Sequence, residues 1–450
     1  MQGGRAPFNQ TREGMQGHDA ERRRRRTAGR VVAGGLCLAL LWAGCDSGGT
    51  GEEPEPTGPG SLVETTLLET VDTGRIAAMN LPVSPRYDVE IHRILYRTVD
   101  PHGRETTASG ALMRPRGATG ALPLVSYQHG TVVRKDDVAS ARGLDVPEAL
   151  VGVLFATSGY LAVMPDYLGL GASEGLHPYV HAASLATSVV DMLRAARHFA
   201  EREGIPLDEA ATGRPAVFLT GYSEGGFATV AAQRLLEGEQ ATAFHLVASA
   251  PMAGNYDMSG TMADLMLRRE PYPAPFFLPY TLLAYDAVYD LFDDLSEAFV
   301  APYDQRLPAL FDGTRSGSEI DAELPAIPIE MVRSDYLTGF LNDTNHPLRQ
   351  ALRDNDLYAW APRTPTRLYH CEADELVPFA NTEVAAANFI ARGAPAVEVV
   401  RLDVGGHVAC AGPALFLAWL WFETFRTAKD GLPATRPPTV RGQPTRLPVR

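Results

Sequence analysis

Between Ser61 and Thr427 the chain carries two kinds of apolar pattern in turn. Ser61–Val71, Tyr87–Arg97 and Thr106–Met113 alternate apolar and polar positions, the period of half-buried strands. The last two read as a strand pair turning at Asp100-Pro101-His102-Gly103. Leu122–Tyr127 and Tyr160–Pro165 are short apolar runs of buried-strand length, and Ala216–Thr220, His245–Ala250, Thr366–Tyr369 and Val397–Leu402 read as further strands. Helical spacing fills the intervals at Val146–Thr157, Tyr179–Glu203, Phe227–Leu236, Ala380–Ala391 and Pro413–Thr427. Strands alternating with helices predict a mostly parallel central sheet with helices on both faces. The sequence shows no internal repeat.

About 110 residues between His245–Ala250 and Thr366–Tyr369 break this alternation, and they include the aromatic- and proline-rich Pro271–Phe292. A connection this long in a compact domain is usually functional. It is expected to be a mostly helical cap inserted after the sixth strand, roofing a site for a lipophilic substrate. The expected organisation is residues 1–44 as a signal peptide, 45–62 as a flexible tether and 63–250 as the first part of the core. The cap is 251–362, the second part of the core 363–428, and the disordered tail 429–450.

The two ends of the chain change the picture of where the protein works. Arg22–Arg26 and Arg30 precede the apolar Val31–Gly44, which is too short to span a bilayer but of signal-peptide length. Leu41-Trp42-Ala43-Gly44-Cys45 is similar to a bacterial lipobox, in which Cys45 would be lipidated; an ordinary cleaved secretory signal is the alternative. The acidic, Gly- and Pro-rich Asp46–Gly60 suits a tether behind such an anchor. The formal net charge is −14. The first 44 residues hold eight Arg against three acids, so the remainder has 32 basic and 51 acidic side chains, a net of −19. That charge argues against nucleic acid as a partner. The expected partners are a small-molecule or lipid ester, with membrane contact only through the N-terminal anchor, and the chain is expected to act as a monomer.

The candidate chemistry centres on Gly221-Tyr222-Ser223-Glu224-Gly225, a G-x-S-x-G match between a predicted strand and a predicted helix. That context makes it a nucleophile elbow, in which Gly221 and Gly225 let strand and helix approach. A serine nucleophile needs a base, and the base needs an orienting carboxylate. Asp374, just past a strand, is the acid, with Glu372 as its rival. His407, after Val397–Leu402 and before the last helix, is the base, with His370 and His129 as rivals. Two backbone N–H groups must receive the developing oxyanion. The candidates are those of Glu224 and Thr131, with Gly130 allowing close approach.

On Tyr127–Thr131 (YQHGT), Pro165–Gly171 (PDYLGLG), His177–Tyr179 (HPY), Gly221–Gly226 (GYSEGG), Asp374-x-x-Val377-Pro378 and Gly406-His407, the chain resembles the α/β-hydrolase superfamily. Within it, the likeness is to bacterial relatives of secretory lipases and esterases. The resemblance spans about 87–427. It implies an α/β-hydrolase fold and a serine mechanism without cofactor: Ser223 attacks an ester carbonyl, His407 carries the proton, Asp374 orients His407, and water releases the acyl group. A serine peptidase or an acyltransferase on the same fold is the alternative within enzymes. No propeller or motif for a free peptide N-terminus accompanies the site. An inactive hydrolase fold serving as a surface binding lipoprotein is the alternative of another class. A haloalkane dehalogenase of the usual form is excluded, because its nucleophile is Asp where this chain has Ser223. Of the four cysteines, Cys37 and Cys45 fall in the export signal, and the spacing of the set gives no metal pattern. Cys371 and Cys410 flank Asp374 and His407 and are either a disulfide or two buried thiols.

Overall fold

The apolar runs in the middle of the chain become strands covered on both faces. The computed structural model describes residues 57–429. Its strands are β1 (Leu62–Val71), β2 (Val89–Val99), β3 (Glu105–Pro115), β4 (Leu124–Gln128), β5 (Leu161–Pro165), β6 (Ala216–Tyr222), β7 (His245–Met252), β8 (Thr366–Cys371) and β9 (Val397–Leu402). They form one sheet in the order β1-β2-β3-β5-β4-β6-β7-β8-β9. β1 to β3 pair antiparallel, β3 joins β5 antiparallel, and from β5 to β9 the neighbours are parallel. Every residue of β4, β5 and β6 is buried, as continuous apolar runs require in a parallel sheet. The Asp100–Gly103 turn closes through the Gly103 N–H donating to the Asp100 carbonyl at 2.9 Å.

The principal helices are α1 (Ala149–Thr157), α2 (Ala182–Arg202), α3 (Glu224–Glu237), α4 (Phe277–Tyr289), α5 (Ser334–Asn342), α6 (Pro347–Asp354), α7 (Ala380–Ala391) and α8 (His407–Lys429). The strand period divides neighbouring side chains between two cores. Leu124 and Leu219 join α2, α3 and the insertion on one face. Val125 and Phe218 join α1 and α8 on the other. By length and composition α8 could cross a membrane, yet it packs on the sheet through Ala414, Ala418 and Phe422, all fully buried.

Three expectations change here. The insertion follows the seventh strand, because the Ser61–Val71 alternation also becomes a strand, paired with β2. The expected tether to residue 62 ends earlier: Gly60 donates to the Arg97 carbonyl at 2.7 Å, and Ser61 is buried beside it. The last helix begins at His407, so the expected base stands on its first residue and not in a loop before it. The insertion is largely helical and shares one continuous hydrophobic core with the sheet, so it is a roof fused to the core. The expected signal peptide with Cys37 and Cys45, and the tail beyond Lys429, lie outside the described residues.

Candidate active site

The elbow is built by crowding. Ser223 links the end of β6 to the start of α3 with φ 60° and ψ −123°, a left-handed conformation rare for a side-chain-bearing residue. Its N–H donates to the Met252 carbonyl on β7 at 2.9 Å, and its own carbonyl accepts from Gly226 and Phe227 at 2.8 and 3.1 Å. A Cβ on Gly225 would strike the Gln128 carbonyl, and one on Gly221 the Gly225 carbonyl. Gly226 is equally constrained, against the Met252 carbonyl. The third glycine of GYSEGG thus carries as much of the turn as the two in the motif.

Asp374 and His407 come together although 33 positions separate them. The His407 Nδ1 lies 2.6 Å from Oδ2 of Asp374. A carboxylate only accepts, so Nδ1 carries the proton and the lone pair is left on Nε2. The other carboxylate oxygen accepts from the N–H groups of Leu376 and Val377 at 3.0 and 2.8 Å. Burial alone would push the Asp374 carboxyl up. The bonds from His370, His407 and Val377 outweigh it and hold the carboxyl at about 2. Ser223, Asp374 and His407 are all buried.

The backbone of His407 is held on both sides. Gly405, with φ 121°, turns the chain from β9 into α8. The His407 N–H donates to Glu375 at 3.0 Å, and its carbonyl accepts from the Tyr222 hydroxyl at 2.6 Å. A disulfide joins Cys371 at the end of β8 to Cys410 in the first turn of α8, with Cα atoms 6.0 Å apart. It ties the acid loop to the base helix.

The other candidates have different partners. Glu372 is exposed and pairs with Arg401 at 2.9 Å. The two ring nitrogens of His129 face the backbone carbonyls of Gly130 and Asp166 at 2.7 and 3.3 Å. His370 stands behind Asp374: its Nε2 is 3.2 Å from Oδ2 and 2.9 Å from the Val377 carbonyl, and its Nδ1 is 2.7 Å from the Thr382 hydroxyl. Both of its ring nitrogens are engaged by these contacts. Neither Glu375 nor this setting of His370 was legible, because both depend on contacts made by folding.

On the opposite side, the HGT loop is held by tyrosines. Tyr167 donates to the His129 carbonyl at 3.1 Å and Tyr280, from α4, to the Val132 carbonyl at 3.0 Å. The Thr131 hydroxyl meets that of Tyr179 at 3.3 Å. The Gly130 N–H is taken by Glu148 at 3.2 Å. Among the described residues no protein acceptor takes the N–H of Thr131 or of Glu224. A Cβ on Gly130 would crowd the Glu148 carboxylate at 3.3 Å and lie 3.6 Å from the Tyr222 carbonyl and 3.7 Å from the Ser223 Cβ, so this glycine stands close against the elbow.

An apolar slot lies within the insertion, against the turn at Tyr179 and Val180, and neither Ser223 nor His407 lines it. Val180, whose N–H bonds Glu224, and Tyr179 line it together with Met258, Met262 and Leu282 and with Leu337 and Phe340 of α5. Tyr179 stacks on Tyr280, centroids 4.5 Å apart and 6° from parallel. Among the described residues, no group of three or more His, Cys, Asp or Glu is arranged to hold a metal.

A mostly parallel sheet with a serine at a strand-to-helix elbow, roofed by a helical insertion, defines an α/β-hydrolase, and the chain belongs to the esterase and lipase relatives within that superfamily. Residues 146–263 and 325–427 match the sequence model of the secretory lipase family. The chain is similar to the rice cell wall degrading esterase LipA of Xanthomonas oryzae, 29% identical with a TM-score of 0.72 over 83% of this chain and 98% of that one. A structure assigned as a hydrolase, from Legionella pneumophila, is 30% identical with a TM-score of 0.74 over 81% and 98% of the two chains. The probable trichothecene esterase SAT6 of Stachybotrys chartarum is 26% identical over 356 residues, 73% of this chain and 67% of that one.

Proposed function

We propose that this protein is a serine carboxylic-ester hydrolase that works through an acyl-enzyme. The observation that carries the reading is the 2.6 Å contact of His407 Nδ1 with Asp374, which leaves Nε2 as the basic atom of a histidine packed against the elbow residue Tyr222. Ser223 attacks the ester carbonyl as His407 takes its proton. The N–H groups of Thr131 and Glu224 receive the oxyanion, His407 returns the proton to the leaving alcohol, and water repeats the sequence to release the acid. The slot past Val180, Met262 and Leu282 takes an apolar acyl chain.

Export is supported by the basic and apolar N-terminal pattern, by the likeness to secretory lipases and by the disulfide. Anchoring through a lipid on Cys45 belongs to the same proposal.

The test is hydrolysis of p-nitrophenyl esters from acetate to palmitate. Ser223→Ala is expected to lose on the order of 10⁴–10⁶-fold in kcat with an unchanged melting temperature. Equal rates for the two proteins would overturn the assignment.

A further inference from the structure

The ester-hydrolase reading makes no use of the side chain of Glu224 or of the HPY stretch, and folding joins the two. The Glu224 carboxyl has no exposed surface. Its Oε1 accepts from the Val180 N–H at 3.3 Å and lies 2.8 Å from Nε2 of His177, while Oε2 has no hydrogen-bond partner. The other ring nitrogen of His177, Nδ1, is 2.7 Å from the Leu168 carbonyl. A carbonyl only accepts, so Nδ1 carries a proton. A 2.8 Å contact between Nε2 and Oε1 needs one proton between them. The pair is therefore either an imidazolium on a carboxylate or a neutral imidazole on a carboxylic acid. Its net charge is zero in both forms.

The setting makes that neutrality matter. The titratable groups around the carboxyl are His177, Tyr167, Tyr179 and Tyr280, all buried. The Tyr167 and Tyr280 hydroxyls donate to carbonyls of the HGT loop, and the Tyr179 hydroxyl is shared with Thr131. Lys135 and Asp312 line the cleft next to His177 and Tyr280. The His177 ring stacks on Tyr167 at 5.7 Å. Tyr167 and Val180 both have positive φ, 72° and 47°, so the loops gripping the pair are held in conformations that only a well-determined surround maintains.

We propose that His177 is a positioning residue for the oxyanion: it cancels the charge of the Glu224 side chain, so that the backbone N–H of that same residue can receive negative charge from the substrate. A bare carboxylate buried on the residue that donates to the oxyanion would oppose the transition state in a medium that screens poorly. The inference rests on the ester-hydrolase reading above.

The experiment measures kcat and KM on p-nitrophenyl butyrate from pH 5 to 9 for the wild type, His177→Gln and the double variant His177→Gln/Glu224→Gln. Ser223→Ala is the blank, and thermal melts check folding. Glutamine can still donate to Glu224 but brings no ionisable proton. In His177→Gln, kcat is expected to fall by about 10- to 100-fold at pH 8, with KM little changed. The double variant, with no charge to cancel, is expected to recover most of the loss. A wild type no faster than Ser223→Ala overturns the ester-hydrolase reading and this inference with it. An active wild type matched by His177→Gln at every pH overturns this inference alone, as does a loss that persists in the double variant. If His177→Gln does not fold, the double variant decides: folded and active supports the inference, while folded and inactive, or unfolded, assigns the pair to packing and overturns it.

Discussion

The sheet side of the active site and its roof are fixed in place by different means. Asp374 and His407 sit at the ends of β8 and β9, with the disulfide closing the frame behind them. Carboxylate, imidazole Nδ1 and backbone N–H groups bond one another there. The roof is made of helices and the segments joining them, whose tyrosines donate to backbone carbonyls beneath. Tyr280 reaches Val132 in the HGT loop, Tyr285 reaches Val180, and Tyr272 reaches Leu376 in the acid loop. The first arrangement fixes Asp374 and His407, and the second fixes the loops beneath the insertion. Substitutions on the sheet side should therefore act on kcat for every ester, whereas substitutions in the roof should act on which ester is taken.

The largest expected effect separates the two histidines on Asp374. His407→Ala should lose on the order of 10⁴-fold or more in kcat for all esters. His370→Ala should lose about tenfold, since it removes only one of the donors holding the acid. A His370→Ala variant as dead as His407→Ala would break the division between the base and the residue that holds the acid. Because the Asp374 carboxyl is held at about 2, any loss of activity near pH 6 belongs to another group.

The roof is probed next. Met262→Trp, filling the slot within the insertion, should lower kcat/KM for palmitate esters by about 10- to 100-fold and leave acetate within about threefold. Uniform loss over the ester panel would remove the slot from acyl binding.

The smallest effect on activity is expected from the frame. Replacing Cys371 and Cys410 by Ser should cost about 3 kcal/mol of stability, read from denaturant melts, with kcat at 25 °C within about threefold. A loss of activity larger than that would show that the bond also aims His407.

The legibility of the chain follows the same division. The parallel strands were readable because both of their faces are buried, which leaves an unbroken apolar run bounded by turns, as in β4 and β5. The roof was readable only as a helical interruption. Its helices are short, and the element at Met258–Met262 is a single wide turn capped by Asp257, which no simple period announces. Chain order singled out His407 as a candidate, but its place on the first turn of α8 was not legible, because Pro413 suggested a later start. That proline is accommodated within the helix.

By itself, the sequence determined which residues could do the chemistry and in what order. Gly221 and Gly225 dictate a crowded elbow at Ser223, and an acid and a histidine after late strands follow from the parallel sheet. These features are local: each depends on a few neighbouring residues and on strand period. The tertiary structure alone decided which groups face each other. It put His370 behind Asp374 instead of in competition with His407, and Glu375 on the His407 N–H. It also brought His177 to Glu224 across 47 positions of chain. Such contacts are set by the register of distant strands and the packing of the insertion. A carboxyl one residue from the nucleophile acquires its partner only when those surfaces close.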